Sequence, residues 1–409
     1  MQPETSILLG LSLSAAVGLS NAEAAQMRTV HSQPSYILSN GQVELAVTQL
    51  GGHLAPVTFF KDSDQPIQPY HISPWQDERR SPMPAEVLVP LRGDFFCLPF
   101  GGNAEEARGE RHPAHGETAT GRWSGAVVAK SGDVATLTLS MDTKIRKGHV
   151  TKRLSIVDGQ NIVYSQHTIE GFAGPVPLGH HATLAMPDAD GSVRVTTSDF
   201  QLGMTCPGMF SDPKKAEYQS LLPGAEWKDL AHVPAMAKGA SEADLTRLPA
   251  RRGFADLVQL VNVARDATQG PAWTAATFSD AGYVWFAMKD PAMLNSTVIW
   301  IENHGRHGHP WRGRNNCLGL EDVTAHFADG LAASIRENTL TRQGFATAVE
   351  LKSDHPTRVN YIQGVVKTPR GFERVQTIEF SPGRATFVST TGIRVSAPVR
   401  HEFIQSGTL

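Results

Sequence analysis

The chain has few cysteines, no apolar run long enough to cross a bilayer and no excess of charge of either sign. Each shortage removes a class of function. Its three cysteines, Cys97, Cys206 and Cys317, are far apart and odd in number. None forms a C-x-x-C pair, so neither a zinc knuckle nor a redox pair is indicated, and buried free thiols are expected. The 37 basic and 40 acidic residues leave a formal charge of −3. With no basic stripe, nucleic acid is excluded as an expected partner. The apolar run Ile7–Leu19 is too short to span a membrane, and no other segment is a better candidate, so no membrane partner is expected. Strong helix formers are sparse outside a few windows, whereas 37 Gly and 26 Pro suit many turns between short strands.

The N-terminus leaves two readings open. Ala22-Glu23-Ala24 resembles a small-residue cleavage site after Ile7–Leu19, but the preceding MQPETS carries Glu4 and no Lys or Arg. Residues 1–34 are therefore read as a leader, either an export signal implying a periplasmic or secreted protein, or a disordered start to a cytoplasmic one. From Tyr36 the pattern becomes strand-like, with Val43–Gly52 and Leu54–Phe60, then a loop-rich Lys61–Arg111. Strands recur every 8–12 residues or so through Gly125–Gly171, the spacing of an antiparallel sandwich. Further strands are expected at Ala182–Met186, Val193–Thr197, Ala275–Phe278, Tyr283–Met288 and Thr297–Glu302, and again after Phe345. Short helices are expected at Ser241–Leu248 and within Asp322–Glu337, the former inside an irregular excursion over Pro207–Arg252. The fold class is all-β, a large antiparallel β-sandwich with few short helices. One domain over residues 35–366 carries a β extension over 367–409.

Chemistry concentrates in two places. The segment IENHGRHGHPWRGRNNCLGLE, Ile301–Glu321, packs three His, three Arg and a Trp ahead of an apolar run ending in Glu321. The HPAHG loop, His112–Gly116, precedes Arg122 and Trp123. Histidine titrates near neutrality, tryptophan offers an apolar face and arginine a fork of donors. His304, His307 and His309 raise a metal reading, but Arg306, Arg312 and Arg314 would repel a cation. No metal and no cofactor are expected. Arg79-Arg80 and Arg251-Arg252 read as surface charge. His180 and His181 on a strand would point to opposite faces, and His181 is favoured for the site.

Taken in order, Arg92 in LRGDFFCLPFGG, His115 in HPAHG, the pair in PLGHHATLAMPD and Glu321 in NNCLGLEDVT resemble the aldose 1-epimerase (galactose mutarotase) family. The resemblance spans roughly Tyr36 to Val366 and is carried by joint order, since each motif is weak alone. It implies the galactose mutarotase-like supersandwich and an isomerase exchanging sugar anomers, with a small-molecule carbohydrate as substrate. It further implies Glu321 as general base, His115 and His181 as the catalytic histidines, and Arg92 gripping hydroxyl or phosphate oxygens, as in relatives acting on hexose phosphates. His180, Trp123, His304, Trp311 and Arg312 are the remaining candidates for substrate contact. The chain departs from the family after Glu321, where Asp322-Val323-Thr324 follows, and after His181, where Ala182-Thr183 replaces an aromatic pair. The family's hydroxyl-binding Asp has only Asp280 and Asp290 as candidates. Those departures motivate a second reading, a catalytically silent carbohydrate-binding protein. A polysaccharide lyase ranks last, because none of the six Tyr falls in the two segments above.

Overall fold

The computed structural model describes residues 22–78, 82–236, 239–266 and 269–409, so Ile7–Leu19 and Arg79-Arg80 lie outside the described residues. Among them, two large antiparallel sheets form the body of the molecule, one of ten strands and one of eight. A four-stranded sheet from Met27–Val30 to Leu54–Phe59 and a three-stranded sheet from Val375–Ser381 to Arg394–Pro398 complete the main layers. Ala22–Ala24, within the residues read as a leader, pairs as an edge strand with Ser124–Ser131. Met27–Val30 likewise pairs with Gln33–Ser39. This pairing satisfies backbone donors and acceptors that would otherwise stay open.

Side-chain alternation explains the layering. Tyr283–Lys289 is buried at every position, yet its side chains still sort by parity. Tyr283, Trp285 and Ala287 join the core between the two large sheets. Val284, Phe286 and Met288 pack against the C-terminal sheet, with Phe286 and Phe387 at 4.8 Å. The C-terminal strands thus cover the outer face of the ten-stranded sheet, and central strands buried on both faces read as continuous apolar runs. Where the outer face is less covered, as at Val134–Thr143, buried and half-exposed positions alternate.

Two expected helices take other forms. Ser241–Leu248 is not helical: Glu242–Ala243 pairs with Val233–Pro234, and Arg247–Leu248 extends the ten-stranded sheet beside Val193–Thr197. Leu245 and Leu248, three apart, mimic a helical period, but the Asp244 carboxylate takes the Thr246 N–H (2.9 Å) and hydroxyl (2.5 Å), bending the chain into a turn. Within Asp322–Glu337 only Leu331–Ile335 is α-helical. The apolar run ending in Glu321 belongs to a strand, Asn316–Thr324, that continues three residues past it.

Candidate active site

The eight-stranded sheet carries a cavity of about 260 Å³ on the face turned away from the ten-stranded sheet. Parity decides what enters it. On Asn316–Thr324, Leu318 and Leu320 point into the inter-sheet core, while Cys317, Glu321 and Val323 face the other way. Val298 and Trp300 do the same on the neighbouring strand Ser296–Asn303, with Val298 directly opposite Glu321. Phe95 faces the cavity and Phe96 the core; His181 faces the cavity and His180 the core.

Three expected residues converge there. His181 Nε2 stands 3.2 Å from Glu321 Oε1, and its Nδ1 is 3.2 Å from Thr183 Oγ1. The His181 ring stacks on Phe95 (4.5 Å, 18°), whose other neighbour His53 also stacks (4.1 Å, 17°). His115 meets His181 edge to face at 4.9 Å. The HPAHG loop delivers it through two consecutive left-handed residues, His115 (φ 61°) and Gly116 (φ 79°). A Cβ at Gly116 would sit 2.0 Å from the Leu98 carbonyl oxygen, so the glycine is a steric requirement of the turn. Cys97 Sγ supports His115 from below, 3.5 Å from Nδ1.

Burial sets the charge states. It drives the Glu321 carboxyl well above its usual range, opposed by the Arg306 charge. It drives His181 well below its usual range, and lowers His115 to about 4 with help from Arg306. Burial thus favours the uncharged form of each member of the close His181–Glu321 pair.

Other expected residues are placed elsewhere. Trp311 lines the cavity. Arg92 does not: its guanidinium is buried, donating to the carbonyls of Pro90 (3.2 Å), Val30 (2.9 Å) and His31 (2.8 Å) and to Gln76 Oε1 (2.6 Å). It ties the N-terminal hairpin to the loop-rich segment. Trp123 has no exposed surface, donates Nε1–H to Thr118 O and lies under the Lys152 ammonium, so it offers no face to a ligand. His180 pairs with Asp94 (2.8 Å) and stacks on Tyr361 (4.1 Å) inside the sandwich. There Tyr361 donates to Asp322, which also pairs with Lys289 (2.7 Å). His304 closes its own loop through Gly313 O (2.9 Å), and Arg312 is exposed; neither lines the cavity. Asp280 and Asp290 sit in turns away from it. Among the described residues no group of three or more His, Cys, Asp or Glu is arranged to hold a metal ion.

Arg306, Trp300, Phe95 and Phe210 also line the cavity and were not singled out as contacts from sequence. Arg306 was legible only as one charge of a basic loop. Alternation from Glu321 across the hairpin was the available signal for Trp300.

No protein-family profile and no curated protein matches the sequence. Solved structures do match in fold. A proposed aldose 1-epimerase from Klebsiella pneumoniae superposes with a TM-score of 0.57 at 12% identity, over 85% of this chain and 83% of that one. A galactose mutarotase-like protein from Clostridium acetobutylicum gives 0.53 at 11%, over 84% and 98%. A proposed aldose 1-epimerase from Escherichia coli K12 gives 0.51 at 12%, over 81% and 99%. The fold is that of the galactose mutarotase-like proteins. In this chain the cavity is walled by the hairpin loop 304–315 and the loop-rich segment before His112. At such identities the likeness concerns architecture, and function rests on the residues in the cavity.

Proposed function

We propose that the protein is an aldose 1-epimerase-like isomerase that interconverts the anomers of a small carbohydrate by general acid–base catalysis. The observation that carries this reading is the 3.2 Å pairing of His181 with Glu321 in a small buried cavity that also holds His115. A carboxyl and an imidazole sharing one proton supply both halves of the reaction. In the carboxylate–imidazolium form, Glu321 takes the proton from the anomeric hydroxyl while His181 protonates the ring oxygen. The bond from C1 to the ring oxygen breaks and the C1–O bond becomes a carbonyl. Rotation about C1–C2 presents the other carbonyl face, and the reverse proton transfers reclose the ring. The pair ends as it began, so no net proton is consumed. Each positioned transfer contributes typically ~10²–10⁴-fold. His115, lowered to about 4 by burial and edge to face with His181, is the candidate to hydrogen-bond a sugar oxygen. Trp300 and Trp311, edge to face at 5.8 Å, supply apolar wall for a ring face.

The test is anomer exchange measured by NMR or polarimetry over a panel of aldoses, with Glu321→Gln and His115→Ala as controls. Catalysed exchange lost in Glu321→Gln supports the proposal; exchange that survives it sinks the mechanism. Saturable binding without exchange would instead favour the silent carbohydrate-binding reading, which the departures from the family after Glu321 and His181 motivate.

A further inference from the structure

Among the described residues the Arg306 guanidinium has no hydrogen-bonded partner, and it lines a cavity whose wall is largely apolar apart from His115, His181 and Glu321. Its guanidinium carbon lies 5.0 Å from the Phe210 ring, 5.1 Å from Trp311 and 5.4 Å from Trp300. The three rings hold the side chain by cation–π attraction but accept no directional hydrogen bond from the fork. Glu302 is the adjacent carboxylate, yet its Oε2 is 3.6 Å from Arg306 Nε, and no described residue hydrogen-bonds that oxygen. Its Oε1 is taken by the backbone N–H groups of Gly305 (2.9 Å) and Arg306 (3.0 Å). Burial raises the Glu302 carboxyl to about 7, against the pull of Arg306, so at neutral pH this group only partly balances the guanidinium. The Arg306 side chain is about a quarter exposed, and it lines the same cavity as Glu321, His181 and His115.

The rest of the lining bears on what this cation is for. A polyhydroxylated neutral ring is normally held by several side-chain carboxylates and amides. Here Leu88, Leu91, Leu257 and Ala328 occupy much of the wall, and neither Asp280 nor Asp290 reaches it. A neutral hexose would leave many hydroxyls unpaired against these walls, each with a desolvation penalty. A ligand bearing a negative group would instead gain charge-assisted, two-pronged bonds from the partly exposed guanidinium.

We propose, building on the mutarotase reading, that the substrate is an anionic sugar whose carboxylate or phosphate is held by Arg306 while its anomeric centre lies at Glu321 and His181. Arg306 thus takes the anion-holding part that the sequence suggested for Arg92, which is buried in structural bonds. Selection works in both directions: the acidic group neutralises a cation in an apolar cavity, and a neutral sugar leaves it unbalanced.

The experiment is anomer-exchange NMR on wild type, Arg306→Met and Arg306→Lys with matched sugars: glucose, glucuronate, galactose, galacturonate and glucose 6-phosphate. Circular dichroism and thermal melts verify that the variants are folded. The expected result is at least a tenfold higher kcat/KM for an anionic sugar than for its neutral parent. The ratio should collapse toward one in Arg306→Met, mainly through KM, and be partly retained in Arg306→Lys. The uronate and phosphate arms identify which anion fits. Equal use of neutral and anionic sugars by wild type, or an unchanged ratio in folded Arg306→Met, overturns the proposal. Calorimetric titration of the same ligands separates the two levels of inference. Binding of an anionic sugar that is lost in Arg306→Met, without exchange in wild type, retains the Arg306 site and removes the isomerase. Exchange confined to neutral sugars does the reverse.

Discussion

Replacing Arg92 by alanine should unfold the protein more readily and leave ligand affinity unchanged. The side chain is 1% exposed and its guanidinium reaches Val30 O, His31 O, Pro90 O and Gln76 Oε1. Val30 and His31 lie near solvent, so water can replace the lost donor there. Pro90 and Gln76 are buried, and each acceptor left without its charged donor costs roughly 1–3 kcal/mol. Adding loss of packing around the aliphatic stem, the expected destabilisation is about 3–5 kcal/mol. With an unfolding entropy of roughly 2.1 cal/mol/K per residue, a chain of 409 residues would melt about 5 °C lower. Urea denaturation followed by tryptophan fluorescence and a calorimetric melt measure this. A raised KM in a variant of unaltered stability would refute the reasoning and return Arg92 to the substrate site.

Further perturbations probe other parts of the same account. Asp322→Asn should cost about 3–5 kcal/mol in urea unfolding, because it strands the buried Lys289 ammonium that Asp322 faces at 2.7 Å; an effect below about 1 kcal/mol would mean the pair is not buried as described. Trp123→Ala should cost about 3–5 kcal/mol with no change in ligand affinity, since the ring has no exposed surface; weakened binding at full stability would place it in the site after all. His53 is held by burial at about 3, below its value of 6.5 in a solvated chain, so it favours the folded state fully above pH 6.5 and progressively less as pH falls below that. At pH 5 the difference is about 1.5 units, or about 2 kcal/mol. The stability lost between pH 7 and 5 should therefore be about 2 kcal/mol smaller in His53→Leu than in wild type. Equal pH dependence of the two would show that His53 is not buried in the neutral form.

Much of the architecture was readable from local pattern. Alternation at Val43–Gly52 and through Gly125–Gly171 marked real strands, because a sheet with one covered face records its geometry every second residue. Ser241–Leu248 misled because two leucines three apart look helical, and the Asp244 turn that overrides them is a side-chain hydrogen bond with little periodic signature. His115, His181 and Glu321 were singled out by the resemblance of their joint order to the aldose 1-epimerase family, and the fold brings the three to one cavity. Arg92 and Trp123 carried equally suggestive chemistry, yet both are buried in other roles. Residue type cannot tell a guanidinium facing a ligand from one facing four protein acceptors.

The sequence by itself determined an antiparallel β protein and the small set of residues from which a proton-transfer site could be drawn. Strand alternation and residue chemistry are local properties, written in neighbouring positions. Only the tertiary structure decided which members of that set meet. Parity on Asn316–Thr324 sends Glu321 to the cavity and Asp322 to the core, and a one-residue slip would exchange them. Contact between His115, His181 and Glu321 depends on strands and loops up to about two hundred residues apart being brought to one face, which no local pattern encodes. The same long-range packing places Arg306 among three aromatic rings, turning one charge of a basic loop into a cation that faces a cavity.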